Sequence, residues 1–336
     1  MTVTAARPVA APAGRSLRAE RTLTVPSMGG SLVLRLAHQP RAGDAVARQA
    51  VSRDLERVAR RVDRWASHLT RFNDTSDLSA LNADPGLSPV SVPPTLAATL
   101  AWAERAMDLC PGLVDVTLLD ERLAAETGPM GTPSPTAASP TPAPGTRARW
   151  HLVRRARGGT VVRRGTFRFD LDGVAKGWIA DRALGLLDRY PGAMVDADGD
   201  IALRLDDDIA WDIAIADPRR ADDILAVLRL DGRLPGGLVG VATSGTSVHR
   251  WQDAADGSPR HHLLDPRTRR PCLTDVIQAT VIMSTAREAE ILAKAVVIAG
   301  SDAGMDLLDR PGVHGAVLLL DSGDVVALPR TEEWLA

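Results

Sequence analysis

The chain has 336 residues, and 40 Lys and Arg against 42 Asp and Glu give a formal charge of −2, which excludes the basic excess of a protein whose main partner is nucleic acid. Two cysteines, Cys110 and Cys272, are too few for a disulfide framework or a cysteine-ligated zinc site. No apolar run approaches the ~18 residues of a membrane span, and the N-terminal stretch lacks the apolar core of a secretory signal, so a cytoplasmic location is expected.

In chain order, residues 1–21 are expected to form a disordered tail. Leu32, Leu34 and Leu36 alternate over 31–37, the period of a half-buried strand. Val51, Leu55, Val58, Val62 and Trp65 follow at helical spacing, which predicts an amphipathic helix over 45–65 with Arg, Asp and Glu outward. Pro93-Pro94 leads into a second helix over 95–109, with Leu96, Leu100 and Met107 inward and Pro111-Gly112 as its stop. Six prolines fall between 129 and 145. Such a composition cannot bury enough apolar surface to order itself, so 129–146 is expected to be a flexible insertion.

The second half predicts strands over 165–171, 201–205 and 211–216, the last alternating Trp211, Ile213 and Ile215 with Asp212 and Ala214 as an antiparallel strand with one wet face does. A helix is expected over 180–189, ended by Pro191-Gly192. A short buried strand over 279–283 feeds a helix over 286–299, which opens on the capping pattern Thr285-x-x-Glu288 and closes at Gly300. Strands near 317–320 and 325–328 come last, and 329–336 reads as a C-terminal tail. The class is α+β, without the strict β-α alternation of a doubly wound fold, and one domain over 22–328 accounts for it.

Four segments carry the residues of a candidate site. In DLDGVAKGWIADRA (170–183), Gly173 and Gly177 flank Lys176 where a strand meets a helix start, so bare amides and an ammonium are available to an anionic phosphate. VDADGDI (195–201) is a carboxylate-rich turn between strands. In ATSGTSVHRW (242–251), Ser244 and Gly245 follow a strand and offer a hydroxyl and an amide to a ligand. HHLLDPRTRRP (261–271) places two histidines before an Asp-Pro turn. Taken singly, each also reads as ordinary turn chemistry. Lys176 and Lys294 are the only lysines among the 40 basic residues, and an ammonium differs from a guanidinium in size, hydration and ease of pKa tuning.

In order and wording these segments resemble the FAD:protein FMN transferases, the ApbE family. DLDGVAKGWIADRA is similar to that family's Asp-Leu-Gly-Gly-Ile-Ala-Lys-Gly-Tyr segment, VDADGDI to its Gly-Gly-Asp-Ile turn, ATSGTS to its Ser-Gly step, and HHLLDPRTRRP to its His-Ile-Ile-Asp-Pro-Arg-Thr-Gly segment. The resemblance runs from about residue 27 to 328. It includes SMGGS (27–31), TSDLSALN (75–82), LVDVT (113–117) and REAEILAKAVVIAG (287–300), the last similar to the helix that carries metal ligands.

The resemblance implies a T-fold-related α+β protein, with mixed or antiparallel sheets and packed helices, that binds FAD. It implies an enzyme that uses Mg2+ to cleave the FAD pyrophosphate and transfers FMN to a Ser or Thr hydroxyl of an acceptor protein, releasing AMP. By position, His262 is the implied general base, with Asp265 beside it. Met28, Gly29, Asp115, Gly173, Lys176, Gly177, Asp181, Gly199, Asp200, Ser244 and Gly245 are the implied FAD-binding residues, and Ala175 and Glu290 the implied metal ligands.

The chain also departs from the pattern. Glu290 and Lys294 stand where the family has an Asp and, four residues later, a Thr as ligands, and an ammonium cannot ligate a cation. Glu290 and Lys294 are also a favourable helical ion pair. Asp172 and Asp198 replace glycines, Arg269 replaces the glycine after Asp-Pro-Arg-Thr, and Thr246 replaces an acidic residue. Two further readings therefore stay open: a non-catalytic FAD-binding protein with a degenerate metal site, and a metal-dependent FAD pyrophosphatase that passes FMN to water.

Overall fold

Met28 and Gly29 both have positive φ, 54° and 81°. This is the two-residue turn whose twist matches that of antiparallel strands. It joins β1 (Ala19–Ser27) to β2 (Gly30–His38). The structure, a computed structural model, describes residues 18–39, 45–86, 88–127, 149–156, 159–220, 222–233, 235–247, 250–252 and 259–336. After the first hairpin come α1 (Ala45–Leu69), α2 (Asp77–Ala83), β3 (Val90–Ser91), α3 (Pro94–Leu109) and α4 (Leu119–Thr127). Next are β4 (Val153–Ala156), β5 (Thr160–Arg163) and α5 (Ala175–Leu184), then the hairpins β6 (Gly192–Ala197) with β7 (Asp200–Leu205) and β8 (Ala210–Ala216) with β9 (Ile224–Asp231). The chain continues through β10 (Leu238–Gly245), β11 (Arg250–Gln252), β12 (Pro259–His261), β13 (Leu264–Asp265), β14 (Arg270–Pro271) and β15 (Val276–Met283). It ends with α6 (Ala286–Ala299), α7 (Ser301–Leu308), β16 (Gly315–Leu320) and β17 (Val325–Ala327).

One antiparallel sheet organises the molecule, in the order β1-β2-β6-β7-β10-β15-β16-β17. Its strands sort side chains by the two-residue period. Leu32, Leu34, Leu36, Val195 and Val281 join the core shared with α1, α3, α5 and α6, whereas Met194, Ile201, Leu203, Val239 and Val241 join a second core under the β8–β9 hairpin. The sheet is thus covered on both faces, and each fully buried aliphatic side chain contributes about 1.5–3 kcal/mol. Val51, Leu55, Val58, Val62 and Trp65 all face the first core, as their spacing requires.

Four expectations are corrected. The segment 165–171 is not a strand, although Phe167, Phe169 and Leu171 are buried in alternation. Its backbone is satisfied by side chains instead: Asn82 accepts from the Phe169 amide at 2.7 Å and donates to its carbonyl at 2.9 Å, and Arg163 donates to Phe167 O at 2.6 Å. The helix expected over 180–189 begins at Ala175 and ends at Leu184, with a 3-10 turn over Gly185–Leu187. The amides of Val174 and Ala175 both donate to Leu171 O at 3.0 Å, so the glycine motif itself winds into the helix start.

Ala19, Glu20 and Arg21, placed in the expected tail, are already paired to β2; the rest of that expectation, over 1–17, and the insertion at 129–146 lie outside the described residues. Residues 329–336 are no loose tail. Pro329–Trp334 is a 3-10 turn in which Thr331 and Trp334 are buried. The Thr331 hydroxyl accepts from the Ala316 amide at 2.9 Å and donates to the Ala316 carbonyl at 3.0 Å.

Candidate functional site

The site grows from two adjacent turns. Asp198 and Gly199, with φ of 58° and 93°, repeat between β6 and β7 the turn geometry of Met28 and Gly29. Because Leu32 pairs with Ala197, the two turns lie side by side at one end of the sheet. The Asp198 amide donates to Ser31 O at 3.0 Å, and its carboxylate accepts from the Ser31 amide at 3.4 Å. Ala242 of β10 pairs with Asp200, so Ser244 and Gly245, the last residues of β10 rather than its sequel, run past the second turn at the same end.

The start of α5 meets these turns. Lys176 Nζ lies 3.4 Å from Asp200 Oδ2, 3.4 Å from the Asp198 carbonyl and 4.0 Å from the Asp198 carboxylate. Behind it the Gly177 amide donates to Glu290 Oε2 at 3.1 Å, which ties α5 to α6. A β-carbon on Gly177 would lie 2.7 Å from Ala286 O and from Arg287 Cα, so glycine is what lets the two helices approach. Lys294 of α6 reaches across to donate to Gly173 O at 2.7 Å, with Glu290 Oε1 4.0 Å away.

Electrostatics follow from burial. Glu290 is 2 % exposed, and burial together with Asp200 pushes its carboxyl up to about 8. Burial also raises Asp196 to about 6, against a hydrogen bond from the Gly199 amide at 2.7 Å, and raises Asp200 against the pull of Lys176 and Lys294. Burial alone would lower Lys176. Asp200, Glu290 and Asp198 outweigh it and hold the ammonium above the ordinary lysine value, so the charge persists at neutral pH.

Other expected site residues have partners of their own. Asp181 meets α6: its oxygens accept from the Ala286 amide at 2.9 Å and the Arg287 amide at 3.2 Å, closing the N-terminus of that helix. Both oxygens are committed, so it positions α6. Asp115 Oδ1 accepts from the Thr117 amide and hydroxyl at 2.8 and 2.7 Å, while its buried Oδ2 has no hydrogen-bond partner. Asp265 builds its own turn, accepting from the Arg267 amide at 2.8 Å and pairing with its guanidinium at 2.9 Å. His262 is half-buried between β12 and β13, next to His261, whose Nε2 lies 3.1 Å from Cys272 O. Arg269 joins this loop to α4 through Glu121 at 3.8 Å. Ala175 opens α5 and is buried.

The added aspartates divide. Asp172 is 3.3 Å from Arg122 and 3.5 Å from Arg71, in a network with Asp170 and Glu126, whereas Asp198 stays with Lys176. Sequence reasoning missed Arg71, Arg122 and Asp196; of these only Asp196, inside the VDADGDI turn, carried a local signal. Burial raises the Cys272 thiol to about 12 and also raises Cys110, so neither supplies a thiolate at neutral pH. Among the described residues, no three His, Cys, Asp or Glu side chains are grouped to hold a metal ion, and no helix is long and apolar enough to cross a membrane.

Two glycine turns and the ammonium groups of Lys176 and Lys294 thus lie with the carboxylates of Asp196, Asp198, Asp200 and Glu290 at one end of the antiparallel sheet of an α+β fold. The ApbE family model matches residues 28–318, and the chain belongs to that family. An FAD:protein FMN transferase of Vibrio cholerae is 26% identical over 294 residues, covering 84% of this chain and 82% of that protein. One from Treponema pallidum is 27% identical over 294 residues, covering 80% and 77%. The fold is similar to that of the flavinyl transferase ApbE from Pseudomonas stutzeri in its apo form, with a TM-score of 0.72 at 23% identity over 94% of this chain and 96% of that one. It is also similar to the ApbE protein from Thermotoga maritima, with a TM-score of 0.73 at 22% identity over 95% and 100%.

Proposed function

We propose that this protein is an FAD:protein FMN transferase, which cleaves the FAD pyrophosphate and transfers FMN to a Ser or Thr hydroxyl of an acceptor protein with release of AMP. The observation that carries the reading is the contact of Lys176, between Gly173 and Gly177 in sequence, with the Asp198 carbonyl and the Asp200 carboxylate at the turn between β6 and β7, within a chain of the ApbE family. Phosphoryl transfer needs charge on the pyrophosphate neutralised, the incoming alcohol deprotonated and both held in line. Lys176 supplies a permanent positive charge, and the turns let backbone approach the phosphates closely. Met28, Gly29, Gly199, Ser244 and Gly245 border the nucleotide from the same sheet end.

His262 takes the hydroxyl proton as general base. The acceptor oxygen then attacks the phosphorus of the FMN half, the bond to the bridging oxygen breaks, and AMP leaves with that oxygen. Asp265, locked to Arg267, positions the loop that presents His262. The Mg2+ implied by the resemblance does not fit the groups as arranged. Lys294 Nζ takes the Gly173 carbonyl and faces Glu290, which puts a positive charge among the oxygens a cation would need. A cytoplasmic location belongs to the same reading, and cell fractionation checks it.

Incubation of the purified protein with FAD and a candidate acceptor, followed by intact-mass analysis, tests the function. The expected result is an acceptor heavier by one FMN group, with AMP in solution. Free FMN with AMP would instead identify a pyrophosphatase, and intact FAD a binding protein.

A further inference from the structure

Lys294 follows Glu290 by one helical turn, where a surface ion pair would be the ordinary outcome. The geometry differs. Its side chain is only 17 % exposed, and Nζ is 2.7 Å from Gly173 O on another segment but 4.0 Å from Glu290 Oε1. The ammonium is therefore turned across the helix interface toward the start of α5. Gly173 makes the room: a β-carbon there would lie 2.8 Å from Lys294 Nζ and 3.0 Å from its Cε. Glu290 Oε1 is buried with no hydrogen-bond partner, and the nearest cation to it is this ammonium.

We infer that the Lys294 ammonium is a resident cation which takes the electrostatic place of a divalent metal, so that the phosphate site of this chain is complete without one. The inference rests on the reading of the site as an FAD site. A compact, strongly hydrated ammonium on a flexible stem differs from a planar guanidinium in just the features that a point-charge substitute for a cation needs. This accounts for a lysine at 294 in a chain whose other basic residues, Lys176 excepted, are all arginine. A divalent ion at the same point would face an ammonium and would lose the Gly173 carbonyl to it. The result is a fixed charge that needs no loading from solution.

The test uses the full-length protein with Mn2+ as the probe, titrated by electron paramagnetic resonance. In parallel, FAD binding is followed by flavin fluorescence in EDTA and in excess Mg2+. The wild type is expected to take up no stoichiometric Mn2+, and its FAD affinity to differ by less than about twofold between EDTA and Mg2+. Lys294→Thr is expected to bind FAD about tenfold more weakly in EDTA, the scale of one lost charged hydrogen bond. It is also expected to gain a Mn2+ site and to recover affinity in Mg2+. One tightly bound Mn2+ per wild-type chain, or a wild-type FAD affinity that rises severalfold with Mg2+, overturns the inference. So does a Lys294→Thr protein that matches the wild type in both assays. If Lys294→Thr fails to fold, Lys294→Met replaces it for the FAD arm, and the wild-type Mn2+ titration decides by itself. A wild type that binds no FAD at all refutes the proposed function, while the Mn2+ result still judges the metal-free site.

Discussion

Gly30 and Asp198 stand so close that a β-carbon on Gly30 would overlap the Asp198 carboxylate. The first residue of β2 and the turn between β6 and β7 therefore hold each other in place. Asp198 in turn offers its carbonyl and carboxylate to Lys176.

Gly30→Ala is expected to swing the exposed Asp198 carboxylate aside and so to release Lys176 from it, while the turn itself stays in place. Stability is expected to stay nearly unchanged because a flexible side chain gives way, whereas FAD affinity is expected to shift by up to about tenfold, the scale of one charged contact. Urea denaturation and a fluorescence titration check both. A variant with unchanged FAD affinity would show that Asp198 does not steer the lysine.

Gly177→Ala separates two effects by sign. Helix propensity alone favours alanine by about 1 kcal/mol, but the added methyl meets the α6 backbone at Ala286 and Arg287. Backbone cannot move aside as a flexible side chain does, so a net loss of about 1–3 kcal/mol is expected. A urea midpoint above that of the wild type would mean that α5 and α6 are not in close contact there.

His262→Ala is expected to lower FMN transfer by about 10²–10⁴-fold while leaving FAD affinity nearly unchanged, because a general base acts on the incoming hydroxyl and not on the resting ligand. Single-turnover transfer and FAD titration are the measurements. Transfer at the wild-type rate would place the base elsewhere.

Asp181 gives a pH signature. Burial raises its carboxyl from 3.8 to about 6 in the folded chain. Its contribution to stability is fully present below the unfolded value and is lost as pH rises through about 6. At about 1.4 kcal/mol per unit, the change approaches about 3 kcal/mol across that window. Asp181→Asn does not titrate, so its stability is expected to fall less between about pH 4 and about pH 7. Denaturation at several pH values compares the slopes, and parallel curves for the two proteins would refute the assignment.

The sequence alone was enough for whatever depends on neighbours within a few turns. The spacing of Val51, Leu55, Val58, Val62 and Trp65 marks a helix face, and all five are buried. Thr285, Glu288 and Gly300 mark the ends of α6, where the Thr285 hydroxyl caps the Glu288 amide. The ordered glycine, lysine and histidine segments carry the family likeness. Tertiary structure decided everything that depends on a distant partner. Phe167 and Phe169 alternate as a strand would, yet the hydrogen bonds of Phe169 go to Asn82, 87 positions away, and no strand forms. Asp181 lies in the glycine-lysine motif but serves α6, because the helix crossing brings the Ala286 and Arg287 amides to it. Lys294 looks like half of a surface ion pair until α5 is packed against α6 and Gly173 O becomes its nearer partner. Periodicity records which face of an element is buried. Which atom a buried charge meets is set by strand register and helix crossing, and those are fixed by contacts between residues far apart in the chain.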